Sequence, residues 1–490
     1  MAFFMYIRKL FTCFFLSLLA SVGATGAQSS QSEDAMTFVG NDLGEATSSY
    51  IVQYEVPKGK FTDGGFLSAR SIEAIDSTFK QSLNKTMRAK VTRSFALTPA
   101  AVMELSPSEY KQIQANPLVK RLYVNKARRL SLAESKNIVL RGSAASRYSG
   151  KGQTIAVLDT GVDKQHSFFV TDKKNRIVSE ACYTRGGFSS RFIEIRSLCP
   201  GGGRVQIGEG TGDDCTDLGF PGCDHGTHVA GIAAGNDGIA PEANIIAVNV
   251  FTGIRDAFNR NVCGTGFGQS CVVAFDSDIA FGLERVYALR KTYNIAAVNM
   301  SLGGGRFQRS CNSEVPVVTD VIRRLKEAGI ATVVASGNSG YSNEISYPAC
   351  ISNSIAVGAT SDFDGTSLGR SVVKDERVFY SNSGNLLDLY APGTLIRSSV
   401  PGNRFSKFNG TSMAAPHVAG AFALIKAENS ELSVNEIESA LKSVGPSVKY
   451  NGVSRRRLDI VGALKKLGLF EPGISIPVIM DLLEEEDSFD

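Results

Sequence analysis

The sequence lacks tryptophan, has only four histidines among 490 residues, and carries no large excess of charge of either sign. Its 52 lysines and arginines nearly balance 48 aspartates and glutamates, so the formal net charge is only +4. This balance gives no electrostatic reason to expect nucleic acid or a strongly acidic molecule as a partner. No internal repeat is present.

Long apolar runs are equally scarce. After the first 27 residues, no apolar stretch reaches the roughly 20 residues that a membrane-spanning helix needs, so the mature chain is predicted to be soluble, without membrane contact. Glycine is abundant, with 49 residues, which suits a fold with many tight loops. A hydrophobic content of 43% is enough for one large core or for two to three domains.

The N-terminus has the order of a secretory signal peptide. Arg8 and Lys9 precede the apolar run 10–20, and small residues follow up to Ala27. We predict a signal peptide at 1–27 and an exported protein, extracellular or periplasmic. A membrane anchor is the alternative, but the apolar run is short for a span.

Cysteine usage agrees with export. Cys13 leaves with the signal peptide, and eight cysteines remain, an even number that predicts disulfides in an exported chain. A metal site is the alternative, because Cys223, Asp224 and His225 place three possible ligands side by side. Proximity along the chain suggests four pairs, although the count alone allows other connectivities: Cys182–Cys199, Cys215–Cys223, Cys263–Cys271 and Cys311–Cys350.

Composition divides the rest of the chain into four segments. A polar, small-residue linker precedes a small α+β unit with strands near 50–54 and 118–124 and a helix near 106–114. A long region of continuously apolar strands comes next, and an acidic tail ends the chain. The predicted segments are 28–46, 47–130, 131–470 and 471–490.

The long region reads as a parallel α/β sheet. Its short strands are apolar throughout, which suits a sheet buried on both faces, and helices alternate with them. The predicted strands are 155–158, 245–250, 296–300, 331–335 and 355–357. The predicted helices are 277–290, 317–328, 414–427 and 434–441.

Polar residues follow three of these strands. Asp159, Ser301 and Asn338 come after the first, third and fourth of them. Ligands of open parallel sheets bind at the carboxyl ends of strands, so we expect these residues to meet there. A single aspartate at a strand end would be weak evidence, because many aspartates cap helices; the convergence of several ends is stronger.

A histidine and a serine lie at predicted helix starts. His225 and His228 could bind a metal, but no glutamate lies between them as in the zinc-protease helix. Ser412 lies just before a helix, where it is either an ordinary N-cap or a nucleophile in the positive potential of the helix start. Ala414 excludes the Gly-x-Ser-x-Gly elbow of the α/β-hydrolases.

Acyl transfer needs a nucleophile, a base, an orienting acid and an oxyanion donor, and the chain offers all four. The motifs are Asp-Thr-Gly at 159–161, His-Gly-Thr-His-Val-Ala-Gly at 225–231, Ser-Leu-Gly-Gly at 301–304, Ser-Gly-Asn at 336–338 and Gly-Thr-Ser-Met-Ala-Ala-Pro-His at 410–417. In this order they resemble the subtilisin family (subtilases) over about residues 150–465.

The resemblance implies a subtilisin-like three-layer α/β domain with a mainly parallel sheet, preceded by the small α+β unit as an inhibitory propeptide. It implies a secreted serine endopeptidase, made as a self-processing zymogen, with Asp159, His225 and Ser412 as catalytic triad and Asn338 in the oxyanion hole. Backbone and pocket residues expected to bind substrate are Ser301, Leu302, Gly303, Ala335, Ser336, Gly337 and Ser346.

Cofactors and partners follow from the same resemblance. No cofactor is required for the chemistry, and metal sites are not identified, although structural calcium is compatible with the family. A loop that supplies a calcium site in many relatives is short here, at 235–241. Expected partners are protein and peptide substrates and the chain's own propeptide; we expect a monomer. The alternatives are a processing protease with one narrow target and a catalytically silent relative, which would lack a triad residue.

Overall fold

The computed structural model describes residues 48–57, 67–125, 127–128, 139–140, 147–171, 174–189, 193–256, 263 and 269–470. The predicted signal peptide, linker and acidic tail lie outside the described residues. No helix in these ranges is both long and apolar enough to cross a membrane.

Residues 48–125, called here the N-terminal unit, form a four-stranded antiparallel sheet with helices against it. The strand order is Val91–Ser94, Ala100–Leu105, Ser48–Tyr54 and Val119–Val124. Side chains of the strands and of the helices enclose a small core of their own around Phe79 and Met103. Ser106 caps the third helix in a capping box with Glu109, which explains where that predicted helix begins. The elements are β1 (Ser48–Tyr54), α1 (Ala69–Ser82), α2 (Lys85–Ala89), β2 (Val91–Ser94), β3 (Ala100–Leu105), α3 (Pro107–Gln114) and β4 (Val119–Val124).

The strands after the N-terminal unit, up to residue 275, are β5 (Ala127–Arg128), β6 (Thr154–Asp159), β7 (Val170–Thr171), β8 (Lys174–Asn175), β9 (Ile177–Tyr183), β10 (Phe188–Ser189), β11 (Ile193–Ser197), β12 (Val205–Ile207), β13 (Asn244–Asn249), β14 (Phe251–Asp256) and β15 (Gln269–Phe275). Those that follow are β16 (Ile295–Met300), β17 (Gly304–Phe307), β18 (Ala331–Ala335), β19 (Ile345–Tyr347), β20 (Ile355–Thr360), β21 (Gly365–Ser367), β22 (Arg370–Val372), β23 (Leu389–Pro392), β24 (Ile396–Val400), β25 (Arg404–Phe408), β26 (Ser447–Tyr450) and β27 (Val453–Arg456).

The helices of the same region are α4 (His225–Ala234), α5 (Asp276–Leu289), α6 (Pro316–Glu327), α7 (Thr411–Glu428), α8 (Val434–Ser443) and α9 (Ile460–Lys466). Short 3₁₀ turns lie at Ser167–Phe169, Pro200–Gly202 and Thr216–Leu218.

An eight-stranded sheet of order β12-β9-β13-β6-β16-β18-β20-β23 forms the centre of residues 147–470, called here the main domain. All its neighbours are parallel except β12 and β9. The five predicted strands are β6, β13, β16, β18 and β20, so the mainly parallel sheet is confirmed. The prediction missed the other three strands: β9, which carries polar residues, the three-residue β12, and the four-residue β23, which ends in proline.

Helices cover both faces of this sheet and make three layers. Ile155 and Val157 of β6 pack with α4 and α7 in one core, whereas Ala156 and Leu158 pack with α5 and α6 in the other. The alternation follows from the two-residue period of a strand. Helix α7 is buried over 15 of its 18 residues, because it is apolar on all sides. The sheet therefore presents the carboxyl ends of its strands at one edge, beside the starts of α4 and α7.

All eight predicted cysteines are paired as expected from proximity. The bridges are Cys182–Cys199, Cys215–Cys223, Cys263–Cys271 and Cys311–Cys350. Their sequence separations are 17, 8, 8 and 39 residues. The metal-site alternative for Cys223 is therefore wrong, because its sulfur is bonded to that of Cys215.

Reduction is expected to lower the melting temperature, because each native bridge typically contributes about 2–4 kcal/mol. The chain-entropy model favours the longest loop, so replacing Cys311 and Cys350 by serine should cost about 1 kcal/mol more than replacing Cys263 and Cys271. Calorimetry of both double variants checks this order. Detection of eight free thiols in the exported protein by mass spectrometry would contradict the assignment.

Candidate active site

Asp159 and His225 form a buried pair at the carboxyl end of β6. His225 Nδ1 lies 2.7 Å from Asp159 Oδ1, and neither residue is exposed. The same carboxylate oxygen accepts the backbone N–H of Thr160 at 2.8 Å. A carboxylate held in this way fixes the orientation of the imidazole ring and favours the tautomer with a proton on Nδ1.

Glycines allow the two motifs to approach this closely. A Cβ atom on Gly226 would lie 2.1 Å from the carbonyl oxygen of Gly161, a distance that no side chain tolerates. The Thr160 hydroxyl accepts the N–H of Gly226 at 3.0 Å, which satisfies one donor of the first turn of α4. Asp-Thr-Gly and His-Gly-Thr are thus fitted to each other, and His225 is the first residue of its helix.

Ser412 lies inside the first turn of α7 and not before it. The helix begins at Thr411 with Gly410 as N-cap, so the interpretation of Ser412 as an N-cap is wrong. The Ser412 hydroxyl donates to the carbonyl oxygen of Ser301 at 3.2 Å. Because Ser412 is the second residue of α7, its hydroxyl lies at the positive end of the helix, where developing negative charge is stabilised.

The Ser301 side chain has a task that the sequence did not reveal. In a regular helix the N–H four residues on would bond to the Ser412 carbonyl, but Pro416 has no N–H. The Ser301 hydroxyl donates to this carbonyl instead, at 2.6 Å, and itself accepts from the Asn299 amide at 2.9 Å. A buried carbonyl left without a partner would cost free energy, so Ser301 fixes the backbone of Ser412.

Asn338 is oriented by Thr411, the residue before Ser412. Its Oδ1 accepts the Thr411 N–H at 2.8 Å and the Thr411 hydroxyl at 3.1 Å. The Thr411 hydroxyl also accepts the N–H of Gly337 at 3.2 Å. Since the amide oxygen is used in this way, the amide NH₂ of Asn338 is the end that can donate to a bound group.

The predicted substrate-binding segments follow two adjacent strands, β16 and β18. Ser301, Leu302 and Gly303 continue β16, while Ala335 ends β18 before Ser336 and Gly337. Ser346 lies in β19 near both glycines: a Cβ on Gly303 would lie 3.3 Å from its Cβ, and one on Gly337 2.3 Å from its hydroxyl. Ser346 therefore lies beside both predicted segments, at the carboxyl ends of β16 and β18.

Glu344, two residues before Ser346, forms an ion pair with Arg306. Both Nε and Nη2 of Arg306 contact Glu344 Oε2, at 3.0 and 2.7 Å, and Gln308 donates to the other oxygen at 3.3 Å. A carboxylate engaged by a forked guanidinium is a weak attractant for a second cation.

The remaining histidines bond to the main chain. Burial, with the charge of His225 adding to it, lowers the pKa of His228 to about 3, so its ring is neutral. Its Nε2 lies 3.1 Å from the Ile396 carbonyl oxygen. His166 Nε2 and His417 Nδ1 likewise contact carbonyl oxygens, of Arg404 and Met413.

Three carboxylates, of Asp163, Asp213 and Asp214, lie within 4.8 Å of one another at the edge of the main domain. Burial raises the pKa values of Asp213 and Asp214. Oxygen ligands of this kind suit Ca²⁺, but backbone N–H groups already occupy part of their capacity; Gln165 and Gly402 both donate to Asp163. No metal role is assigned to them.

Comparison with known proteins identifies the family of this chain. The family model described as the subtilase family matches residues 150–457. The alkaline protease of Alkalihalobacillus alcalophilus is 29% identical over 446 residues, which cover 88% of this chain and 92% of that protein. The M-protease of Shouchella clausii (strain KSM-K16) is 30% identical over 441 residues, with coverages of 87% and 91%. The major intracellular serine protease of Bacillus subtilis (strain 168) is 33% identical over 326 residues, 64% of this chain and 79% of that protein. The resemblance seen in the motifs is confirmed, and the chain belongs to the subtilase family of serine endopeptidases.

Proposed function

We propose that this protein is a secreted, self-processing endopeptidase that cleaves peptide bonds through an acyl-enzyme on Ser412. The buried contact between His225 Nδ1 and Asp159 Oδ1 carries the proposal, because it directs the second ring nitrogen, Nε2, to the base role. Ser412 Oγ attacks the scissile carbonyl carbon as its proton passes to Nε2. For this the hydroxyl leaves its hydrogen bond with the Ser301 carbonyl.

The C–N bond breaks when His225 returns the proton to the leaving amine, which leaves an ester on Ser412. Water then attacks the ester by the same path, and His225 again moves the proton. The oxyanion of each tetrahedral intermediate is held by the Asn338 amide and the backbone N–H of Ser412. Asp159 orients the His225 ring and stabilises the imidazolium. No cofactor takes part in these steps.

We further propose that residues 47–130 are an inhibitory propeptide. The N-terminal unit lies against α5 of the main domain, where Glu284 accepts the backbone N–H groups of Ala96 and Leu97 at 3.1 and 2.8 Å. These bonds use both oxygens of one buried carboxylate. Charge-assisted bonds of this kind are about twice as strong as neutral ones.

Aromatic and amide contacts extend the same surface. Phe95 stacks on Phe281 with ring centroids 4.4 Å apart, and the Arg93 guanidinium lies 3.4 Å from the centre of the Phe281 ring. Asn125 donates to the Ser277 hydroxyl at 2.7 Å and accepts the Ser277 N–H at 2.9 Å. The Asn125 bonds place the end of the N-terminal unit at the start of α5, whereas the other contacts lie further along the same helix.

The chain beyond the N-terminal unit adds a strand to the main domain. β5 pairs antiparallel with β15, with Arg128 opposite Ala274 and Ala127 opposite Phe275. An extended peptide binds a sheet edge in the same manner. We place the maturation cut between about residues 127 and 132, near Arg128 and Arg129, because this strand would bind as a cleaved product does.

N-terminal sequencing of the active enzyme tests the propeptide. We expect a start near residue 130, in a preparation that hydrolyses casein. An active enzyme that keeps residues 47–130 would contradict the role. The alignment with the alkaline protease covers 88% of this chain, so the similarity includes residues before the family match at 150–457.

A buried acid predicts how pH affects the docked propeptide. Asp278 of α5 lines a cavity of about 70 Å³ between the two units, together with Arg93, Arg185 and Arg204. Burial raises the pKa of Asp278 to about 7, although the three arginines oppose the rise. When the N-terminal unit leaves, Asp278 becomes solvated and its pKa should fall toward the usual 3.9 or so.

Docking therefore favours protonated Asp278. The affinity of the propeptide should decrease as the pH rises above about 4 and level off above about 7, by at most about a thousandfold. Asp278→Asn should flatten this dependence and tighten binding at pH 7. Size-exclusion chromatography at pH values from 5 to 8 measures this dependence as the fraction of cut propeptide that stays bound to the enzyme. Asp388→Asn is the control, because burial also raises the pKa of Asp388 but its carboxylate contacts Lys442. Equal pH profiles for Asp278→Asn and wild type would contradict the assignment.

The signal-like N-terminus supports export, and we propose that the mature enzyme acts as a monomer.

For specificity, we propose a P1 pocket that accepts medium to large apolar side chains, because small Ser346 leaves depth and Glu344 is paired with Arg306. Cleavage of a peptide library by the mature enzyme should show apolar P1 residues. Strict arginine or lysine at P1 would overturn this, and cleavage of one sequence alone would favour a dedicated processing protease.

A further inference from the structure

Asn382 lies fully buried in the segment between β22 and β23, and all its side-chain hydrogen bonds go to two segments beside the active site. Its Oδ1 accepts the backbone N–H groups of Ser339 and Tyr341, at 3.0 and 3.1 Å. Its Nδ2 donates to the carbonyl oxygen of Ser336 at 3.1 Å and to the hydroxyl of Ser346 at 3.3 Å.

These partners surround Asn338 on both sides. The Ser336 carbonyl precedes it in the chain, and the N–H groups of Ser339 and Tyr341 follow it. The backbone of Asn382 adds two bonds to the same loop: its N–H donates to the Gly337 carbonyl at 2.9 Å, and its carbonyl accepts the Ser336 hydroxyl at 3.1 Å. One asparagine, in the segment between β22 and β23, therefore holds both ends of the loop 336–341 by hydrogen bonds.

Few other side chains could replace asparagine at position 382, because the loop presents both N–H donors and a carbonyl acceptor to it. The Asn382 side chain is fully buried, so its own polar atoms need partners, and it finds them in two N–H groups and one carbonyl of the loop. A carboxylate would serve the two N–H groups but would oppose the Ser336 carbonyl. The close approach of Gly337, whose φ is 104° and whose Cβ would lie 2.4 Å from Asn382 Nδ2, leaves no room for a larger residue.

We propose that Asn382 is a positioning residue for the oxyanion hole, acting through the loop that carries Asn338. The inference rests on the proposed role of Asn338 as oxyanion donor. Asn382 touches neither substrate nor the reacting atoms. Its effect is to hold the Asn338 amide where the oxyanion forms, since a displacement of about 1 Å in a catalytic group can cost on the order of a hundredfold in rate.

The first test is kinetic. Asn382→Ala is expected to lower kcat by about 10- to 100-fold on a peptide p-nitroanilide, with less than about a threefold change in KM, because the lost contribution belongs to the transition state. In Asn382→Ser the hydroxyl can keep one of the bonds, so its kcat should lie between those of the wild type and the alanine variant. The serine variant replaces the alanine variant if the latter does not fold. The control is Asn236→Ala. Asn236 also makes four side-chain hydrogen bonds, but it lies past the last residue of α4, at the opposite end of that helix from His225. Its partners are Thr171, Arg176, Ser167 and Val170. It should lose thermal stability without loss of kcat.

The second test separates positioning from a merely structural role. In the Asn338→Ala background, replacing Asn382 by alanine or serine should cost less than about threefold in kcat, because the donor that it positions is already absent. A full additional loss in that background, or a change in KM alone, would overturn the proposal. If Asn338→Ala itself leaves kcat unchanged, the proposed oxyanion role fails, and this result is distinct from a failure of coupling.

Discussion

Ser412→Ala is expected to abolish peptide hydrolysis and to leave the chain at precursor length. Thr411, the other hydroxyl of the first turn of α7, donates to Asn338, so Ser412 is the hydroxyl left to attack the carbonyl. Without it the pair Asp159–His225 has no proton to move. We expect a loss of about 10⁶-fold in kcat, the size measured when the nucleophile of a triad is removed in another member of this family. The assays are casein hydrolysis and the mass of the secreted chain.

Ser398→Ala is the matched control for this variant. Ser398 is an equally buried serine whose hydroxyl donates to the His228 carbonyl at 2.8 Å, in α4. It should mature and hydrolyse casein, with a somewhat lower melting temperature. If purified Ser412→Ala cleaved casein at the wild-type rate, the proposed mechanism would be wrong.

Asn338→Ala is expected to lower kcat by about 10²–10³ with little change in KM. The amide oxygen of Asn338 is held by Thr411, so the lost group is a donor already aimed before substrate binds. Such a donor contributes chiefly when the oxyanion forms; the magnitude is that of one oxyanion donor, measured in a member of this family. Steady-state kinetics on a peptide p-nitroanilide measures the two constants separately.

Asn338→Asp sharpens this experiment. Its carboxylate keeps the acceptor for the Thr411 N–H but replaces the donating NH₂ by an oxygen with negative charge. We expect a loss of kcat at least as large as that of the alanine variant, because like charges then meet in the transition state. A rise in KM with kcat unchanged, in either variant, would indicate a role in ground-state binding.

Sequence order by itself determined much of the chemistry. Asp159, His225, Asn338 and Ser412 each sit at the junction of an apolar element and a short polar motif, and such junctions can be recognised without coordinates because strand and helix periods end there. The five central strands and the four cysteine pairs followed in the same way, from local apolar runs and from proximity. These are properties of neighbouring residues, which a linear sequence records.

Only the tertiary structure decided which distant groups support that chemistry. The Ser301 hydroxyl replaces the donor that Pro416 lacks, Thr411 aims the Asn338 amide, and Asn382 fixes its loop, yet each looks like an ordinary polar residue in the sequence. The sequence likewise did not reveal that Asp278 is buried near three arginines, one from the N-terminal unit and two from the main domain, with a raised pKa. Hydrogen bonding and burial depend on which segments the fold brings within about 3 Å, and pairs such as Ser301 and Ser412, separated by 111 residues, carry no local pattern that predicts their meeting.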